Sequence, residues 1–329
     1  ANALVPAPRG GDAVTMRVYF ATDIHGSEVC WRKFLNAAKF YGADTLIMGG
    51  DVSGKAVVPV VAAPGGGYLI RQFTGDQVLT LAELDQAEAR IRDMGFYPYR
   101  TTEAELDQVW DDPAAVQRIF LSLMAETLDR WLKLAAERLA GTGVALYAMC
   151  GNDDPPELQE ILQTSPVLTE PEDQLVELGE GITMISVGWS NRTPWRTPRE
   201  MDDADLERRI EKLAAGVARP ERAVFNLHVP PARTALDLAP ALDESLKPKV
   251  RGGAVVMEPV GSEAVRRVLE RHQPMLGLHG HIHESRGAVR LGRTLAINPG
   301  SEYGDGILRG ALLELDGRAG VRKYQLPAG

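Results

Sequence analysis

Cysteine is nearly absent from this 329-residue chain. Cys30 and Cys150 are the only two, far apart and without a CxxC spacing. That excludes a disulfide framework and a cysteine-rich metal site, and it fits a reducing cytoplasm. Long apolar runs are missing as well, none approaching the roughly 20 residues that span a bilayer, so no membrane partner is expected. A secretion signal is also lacking: the opening "ANALVPAPRGGDAV" has no basic head before an apolar stretch. It reads as a disordered leader over residues 1–15, with Met16 as an alternative start. Basic residues are not in excess. Thirty-six Lys and Arg face 45 Asp and Glu, a net charge of −9, which argues against a binder of long nucleic acids. Residues 76–140 alone hold 13 acidic and 7 basic side chains, so most of the excess sits there. The remainder is nearly neutral and sets up no general field against a phosphorylated ligand.

What is present is an ordinary soluble balance, 44% hydrophobic and 25% charged, in a chain long enough to bury a sizeable core. Short apolar runs of strand length recur, each ending in a polar or glycine-rich turn: "MRVYFAT", "DTLIMG", "VALYAMC", "ITMISVG", "AVFNL", "PMLGL" and "TLAI". Amphipathic stretches such as "CWRKFLNAAKFYG" and "GSEAVRRVLERH" lie between several of them, which indicates a layered α/β protein with buried sheets. Residues 55–135 break this rhythm with a hairpin, "VVPVVAAPGGGYLIRQF", and two helical stretches. The second stretch is long and sets Ile119, Leu123, Leu128, Leu132 and Leu139 near one side. The region reads as an insertion packed on a main domain of residues 16–329. The tail "GALLELDGRAGVRKYQL" reads as a hairpin around Asp316 and Gly317.

Histidine is scarce, six in all, yet His279, His281 and His283 fall within five positions. Five strand ends carry polar residues: Asp23 with His25, then Asp51, Asn152, His228, and the three clustered histidines. Ligands collect at the carboxyl ends of strands in open α/β sheets because the loops converge there. Any one of these residues alone has a plainer role: Asp23 or Asp51 as a turn former, Asp153 and Asp154 as a turn and helix cap, His228 as structural. Together they would repel or lie unpaired when buried, and divalent cations satisfy such a set. Carboxylate, amide and imidazole donors without thiolate suit Mn²⁺, Fe or Zn²⁺. The donors outnumber the needs of one ion, which points to two ions. On an extended segment His281 and His283 would point the same way and serve neighbouring ions.

"DIH" (23–25), "GGD" (49–51), "GND" (151–153), a strand-end His228 and "GHIH" (280–283) resemble the calcineurin-like metallophosphoesterases, with "NPGS" (298–301) similar to their bacterial and archaeal phosphodiesterase-like branch. The resemblance implies a four-layer αββα sandwich with a dinuclear site at one edge. It implies two divalent ions, Mn²⁺ first, with Fe, Zn²⁺ or Ni²⁺ as alternatives. Asp23, His25, Asp51 and His283 would hold the first; Asp51, Asn152, His228 and His281 the second, with Asp51 bridging. It further implies in-line attack on phosphorus by a hydroxide between the ions, and so a phosphodiesterase. A phosphomonoesterase, a nuclease or a non-catalytic scaffold of the same fold are the alternatives.

One departure stands out. Many relatives have a histidine after the GN pair that protonates the leaving group or binds a phosphate oxygen, and here Asp153 takes that place. Beside two cations Asp153 would stay ionised and serve poorly as an acid. His279, not assigned to an ion, is expected either to substitute in part or to hydrogen-bond behind the ligands. The loop "GWSNRTPWRTPRE" offers Asn191, Arg192, Trp195 and Arg196 as contacts for a small phosphoester substrate, or is simply a solvated loop with a packed Trp. A homo-oligomer stays open.

Overall fold

The computed structural model describes residues 15–329 except 64, 73 and 74, so the expected leader, apart from Thr15, lies outside the described residues. The described residues open with β1 (Met16–Ala21), α1 (Glu28–Tyr41) and β2 (Thr45–Met48). Ser27 caps α1 by accepting from the Cys30 amide, and Gly42 ends it at φ 62°, a left-handed value that costs glycine little. Next come β3 (Val57–Ala62), β4 (Tyr68–Gln72), β5 (Gly75–Leu79), α2 (Leu81–Asp93) and β6 (Tyr97–Thr102). α3 (Glu103–Val109) and the long α4 (Pro113–Leu139) return the chain to β7 (Ala145–Ala148) and α5 (Pro156–Thr164). β8 (Leu175–Gly179), β9 (Ile182–Val187), α6 (Asp203–Ala214) and β10 (Ala223–Leu227) follow. Four short strands come next: β11 (Leu238–Pro240), β12 (Val250–Arg251), β13 (Ala254–Val255) and β14 (Met257–Pro259). The chain closes with α7 (Glu263–His272), β15 (Leu276–Leu278), β16 (Gly287–Leu291), β17 (Thr294–Asn298), β18 (Ala311–Asp316) and β19 (Gly320–Gln325).

Two mixed sheets form the body. One runs β19-β18-β1-β2-β7, and the other β16-β17-β15-β10-β9-β8. The five site-bearing strands β1, β2, β7, β10 and β15 lie in parallel pairs within the sheets, so their carboxyl ends share an edge. Strand alternation decides the layers. Val18, Phe20 and Ile47 of the first sheet meet Met184, Val224, Leu276 and Ile297 of the second in one buried core. The intervening Tyr19, Ala21, Leu46 and Met48 face α1, α4 and α5. Ile185, Val187, Phe225 and Leu227 face α6 and α7. Helix, sheet, sheet, helix is the expected four-layer order.

β5-β4-β3-β6 make a separate small sheet, closed by α2 over Val60, Ile70, Leu79, Leu84 and Ile91. α4 differs from the expectation in its facing. It packs with α1 and α5 in the helical layer of the main body. Its buried face is Met124, Thr127, Leu128, Trp131 and Ala135, whereas Ile119, Leu123, Leu132 and Leu139 are only partly covered. Trp131 stacks on Trp31 of α1 with ring centroids 5.0 Å apart, and of the expected set only Leu128 is buried beside it.

Candidate metal centre

Each candidate ligand follows a strand end within a few residues, and the backbone there is bent hard. Asp23 (φ 54°), His25 (φ 39°), Asp51 (φ 51°) and His281 (φ 65°) are all in the left-handed region, which a side chain adopts only at a cost. The bends aim side chains from two sheets at one point. The glycines of the motifs make room for it. A Cβ on Gly151 would lie 2.1 Å from Asp51 Oδ1, and one on Gly280 would lie 2.2 Å from Asp23 Oδ2. The segment after β15 is therefore a turn, not the extended run expected for His281 and His283.

Asp23, His25, Asp51, Asn152 and His228 are all buried. The donors divide into Asp23 with His25 and His283, and Asp51 with His228 and His281; within each set the ligand atoms lie within 4.8 Å of one another. His25 Nε2 is 3.1 Å from His283 Nε2, and His283 Nε2 is 3.4 Å from Asp23 Oδ1. Asp51 Oδ2 sits between the sets, 3.6 Å from His25 Nε2 and 3.5 Å from His228 Nε2. Asn152 Oδ1 lies 3.1 Å from His228 Nε2. A third set joins His25, Asp51 and Asp153.

The electrostatics ask for positive charge. Burial alone would raise Asp51, but the facing His228 and His25 hold its carboxyl well below the usual range. Asp23 is likewise held low by His283 and His228 against burial. Burial would depress His228, yet Asp51 and Asp23 push it up to about 9. His281, whose burial prevails, is pushed down to about 4 and so offers a free lone pair at neutral pH.

The surrounding residues hold the ligands in place. His228 Nδ1 meets the Gly49 carbonyl at 2.9 Å, which leaves Nε2 for the site. Thr197 Oγ1 accepts the Asn152 amide at 2.9 Å, and Thr22 Oγ1 donates to Asp23 Oδ2 at 2.7 Å. Asn298 Nδ2 donates to the carbonyls of Gly280 and Ile282, and Ser301 Oγ to that of Asp23, so "NPGS" braces two ligand loops. Asp154 does not cap α5, whose cap position is Pro155. It is fully buried and accepts from the amides of Val52, Ser53 and Gly151, tying the "GGD" loop to the "GND" loop. No sequence pattern distinguishes a carboxylate that braces loops from one that caps a helix; only the partners do.

A cleft of about 1090 Å³ opens over this cluster. Asp51, Asn152, Asp153, Lys55, His281 and His283 form its floor, Asn191 to Trp195 one wall, and residues from β11 to Val260 the other. Asn191, Arg192 and Trp195 line it as expected; Arg196 is exposed and does not. Arg192 is engaged with Asp202 at 3.0 Å. Of residues 55–135, Lys55 alone among the described residues reaches the cleft. Sequence reasoning passed over it, although "GDVSGK" sets it four positions after Asp51. His279 is fully buried behind the site, with Nδ1 on the Leu227 carbonyl at 2.8 Å, and it does not line the cleft. Burial pushes it down to about 4. This position suits the hydrogen-bonding alternative, not an acid for the leaving group.

No family model matches the sequence. The uncharacterized protein MJ1162 of Methanocaldococcus jannaschii is 28% identical over 167 residues, covering 50% of this chain and 68% of that relative. Among solved structures, TT1561 of Thermus thermophilus superimposes with a TM-score of 0.50 at 12% identity, over 95% of this chain and 99% of its own. Another crystal structure reaches 0.55 at 16% identity over the same shares. At such identities the likeness is one of fold.

Proposed function

We propose that this chain, whose fold is that of the calcineurin-like metallophosphoesterases, is a dinuclear metal-dependent phosphoesterase acting on small phosphodiesters. The observation that carries the proposal is the meeting of two His/Asp donor sets about a shared Asp51 at the floor of an open cleft. The donors fit metal ions. They are buried carboxylates and imidazoles whose charges are balanced in this structure chiefly by the facing histidines, the positive charge a divalent cation replaces.

Asp23, His25, Asp51 and His283 would hold one ion, and Asp51, Asn152, His228 and His281 the other. Bound there, the ions would supply charge neutralisation for the phosphoryl oxygens and acidify a water for attack. Mn²⁺ is the first candidate for a nitrogen and oxygen donor set of this kind. The chain's own residues do the rest. His228 and Asn152 are oriented by Gly49 and Thr197, so binding needs little rearrangement. Trp195, 62% exposed on one wall, and Leu246, 46% exposed on the other, offer apolar surface to the ester's organic groups.

The two exposed apolar side chains, Trp195 and Leu246, support a diester, which carries two such groups. Asp243, Glu244, Glu258 and Glu284 on its lining would repel a polyanion, which speaks against a nuclease of long chains. The test is hydrolysis of bis-p-nitrophenyl phosphate and p-nitrophenyl phosphate after metal stripping, with and without Mn²⁺, alongside Asp51→Asn. Mn²⁺-dependent turnover that favours the diester and is lost in the variant is expected. A folded, metal-loaded protein that cleaves neither ester would point to a scaffold.

A further inference from the structure

At the cleft floor, one cation lies beside the ligand cluster. Lys55 Nζ is bonded to Asp153 Oδ2, the side chains being 37% and 23% exposed. The loop that carries Lys55 is pinned throughout. Ser53 N donates to Asp154 at 2.7 Å, Gly54 N to the Tyr97 hydroxyl at 2.8 Å, and Lys55 N to the Gly95 carbonyl at 3.2 Å. Asp153 is fixed in turn, its amide donating to Asp51 Oδ1 at 3.0 Å. An ammonium has three donors. Among the described residues Asp153 is the only side chain bonded to it, so two donors are left at the mouth of the site.

The pair also settles a charge question. Asp153 stands where many proteins with this motif order have a histidine, and it adds a negative charge to a floor that must receive an anion. Lys55 offsets that charge and restores a donor. We propose that Lys55 binds a non-bridging oxygen of the substrate's phosphoryl group, with Asp153 as the residue that positions it. The two together take the place of the missing histidine in gripping phosphate. The proposal rests on the phosphoesterase function above and deepens it by naming the group that recognises the anion. Asp153 acts through Lys55, so it is a positioning residue.

The experiment uses inorganic phosphate as the probe, because its binding reads the contact without turnover. Phosphate affinity of the Mn²⁺-loaded full chain is measured by calorimetry for the unmodified protein and for Lys55→Met, Lys55→Arg, Asp153→Asn and the Lys55→Met/Asp153→Asn double variant. Bound metal per chain and KM and kcat for bis-p-nitrophenyl phosphate are measured in parallel. Losing one charge-assisted hydrogen bond should weaken phosphate by about 10- to 100-fold in Lys55→Met, with metal content unchanged. KM should rise by a similar factor, and Lys55→Arg should recover most of the affinity. Asp153→Asn should weaken phosphate in the unmodified background and have no further effect once Lys55 is removed. Unchanged phosphate affinity in Lys55→Met would overturn the proposal, leaving Lys55 as a counter-charge for Asp153 only. Loss of metal from Lys55→Met would also overturn it, because the lysine would then be supporting the ligands. An unmodified chain that binds phosphate through Lys55 but cleaves no ester would support the contact while sinking the proposed activity.

Discussion

Asp23, His25, Asp51 and His281 take left-handed backbone angles that ordinary side chains avoid, each at a cost of about 1–3 kcal/mol. Four of the residues proposed to hold metal share this strain, so the fold gives up stability to aim them. The motif glycines are part of the same arrangement. Because a Cβ on Gly151 would lie 2.1 Å from Asp51 Oδ1, Gly151→Ala must displace the shared carboxylate. The expected outcome is a folded protein that binds fewer metal ions per chain, read by elemental analysis against circular dichroism. Full metal loading would refute that account of the glycine. Away from the site, burial and the nearby Glu172 charge push the Glu170 carboxyl up to about 7, against a hydrogen bond from the Glu172 amide. A folded value above the unfolded 4.5 means its contribution is complete below about pH 4.5 and is lost as pH rises to 7. Glu170→Gln, neutral throughout, should match the unmodified protein in acid and exceed its stability at pH 8. Urea midpoints across that range decide the matter, and parallel curves would exclude the effect.

At the scale of elements, α4 illustrates how packing overrides pattern. Of the residues expected on its buried side only Leu128 is fully buried, and the stacked Trp31 and Trp131 rings, 7° from parallel, lie on the same face. The Trp31 indole also donates to the Trp131 carbonyl at 3.2 Å, so the two helices are joined by ring and backbone. Trp131→Ala removes a side chain only 2% exposed and should cost about 3–5 kcal/mol. A denaturant midpoint would show it, and a loss below about 1 kcal/mol would mean the neighbouring core closes over the gap. Strands are more legible in the sequence than the facing of a helix. A buried strand of a parallel sheet is a short apolar run between turns, visible locally. Which side of a 27-residue helix is buried depends on aromatic partners distant in sequence.

For the whole molecule, the proposed ligands come from both sheets. Asp23, Asp51 and Asn152 follow β1, β2 and β7, whereas His228, His281 and His283 follow β10 and β15. Two metal ions held there would bind the sandwich together at one edge. Mn²⁺ at about 100 times its dissociation constant should therefore stabilise the folded chain by about 2.7 kcal/mol for each site filled, and a chelator should reverse this. Thermal unfolding with and without metal tests it, with Asp51→Asn expected to gain much less. Equal midpoints in all three would mean that the cluster holds no ion tightly.

By itself the sequence determined the layered α/β class, the strands and the residues that end them, because apolar runs and turn residues act over a few positions. It also set which donors stand in motif order. Only the tertiary structure decided which plain-looking residues join them. Asp154 and a cap aspartate look alike in sequence, His279 and a ligand histidine look alike, and Lys55 looks like any loop lysine. Their roles depend on partners that are mostly tens to hundreds of positions away in the chain. Contacts of that span are fixed by how two sheets pack and bring their loops to one edge, and no local pattern encodes that geometry.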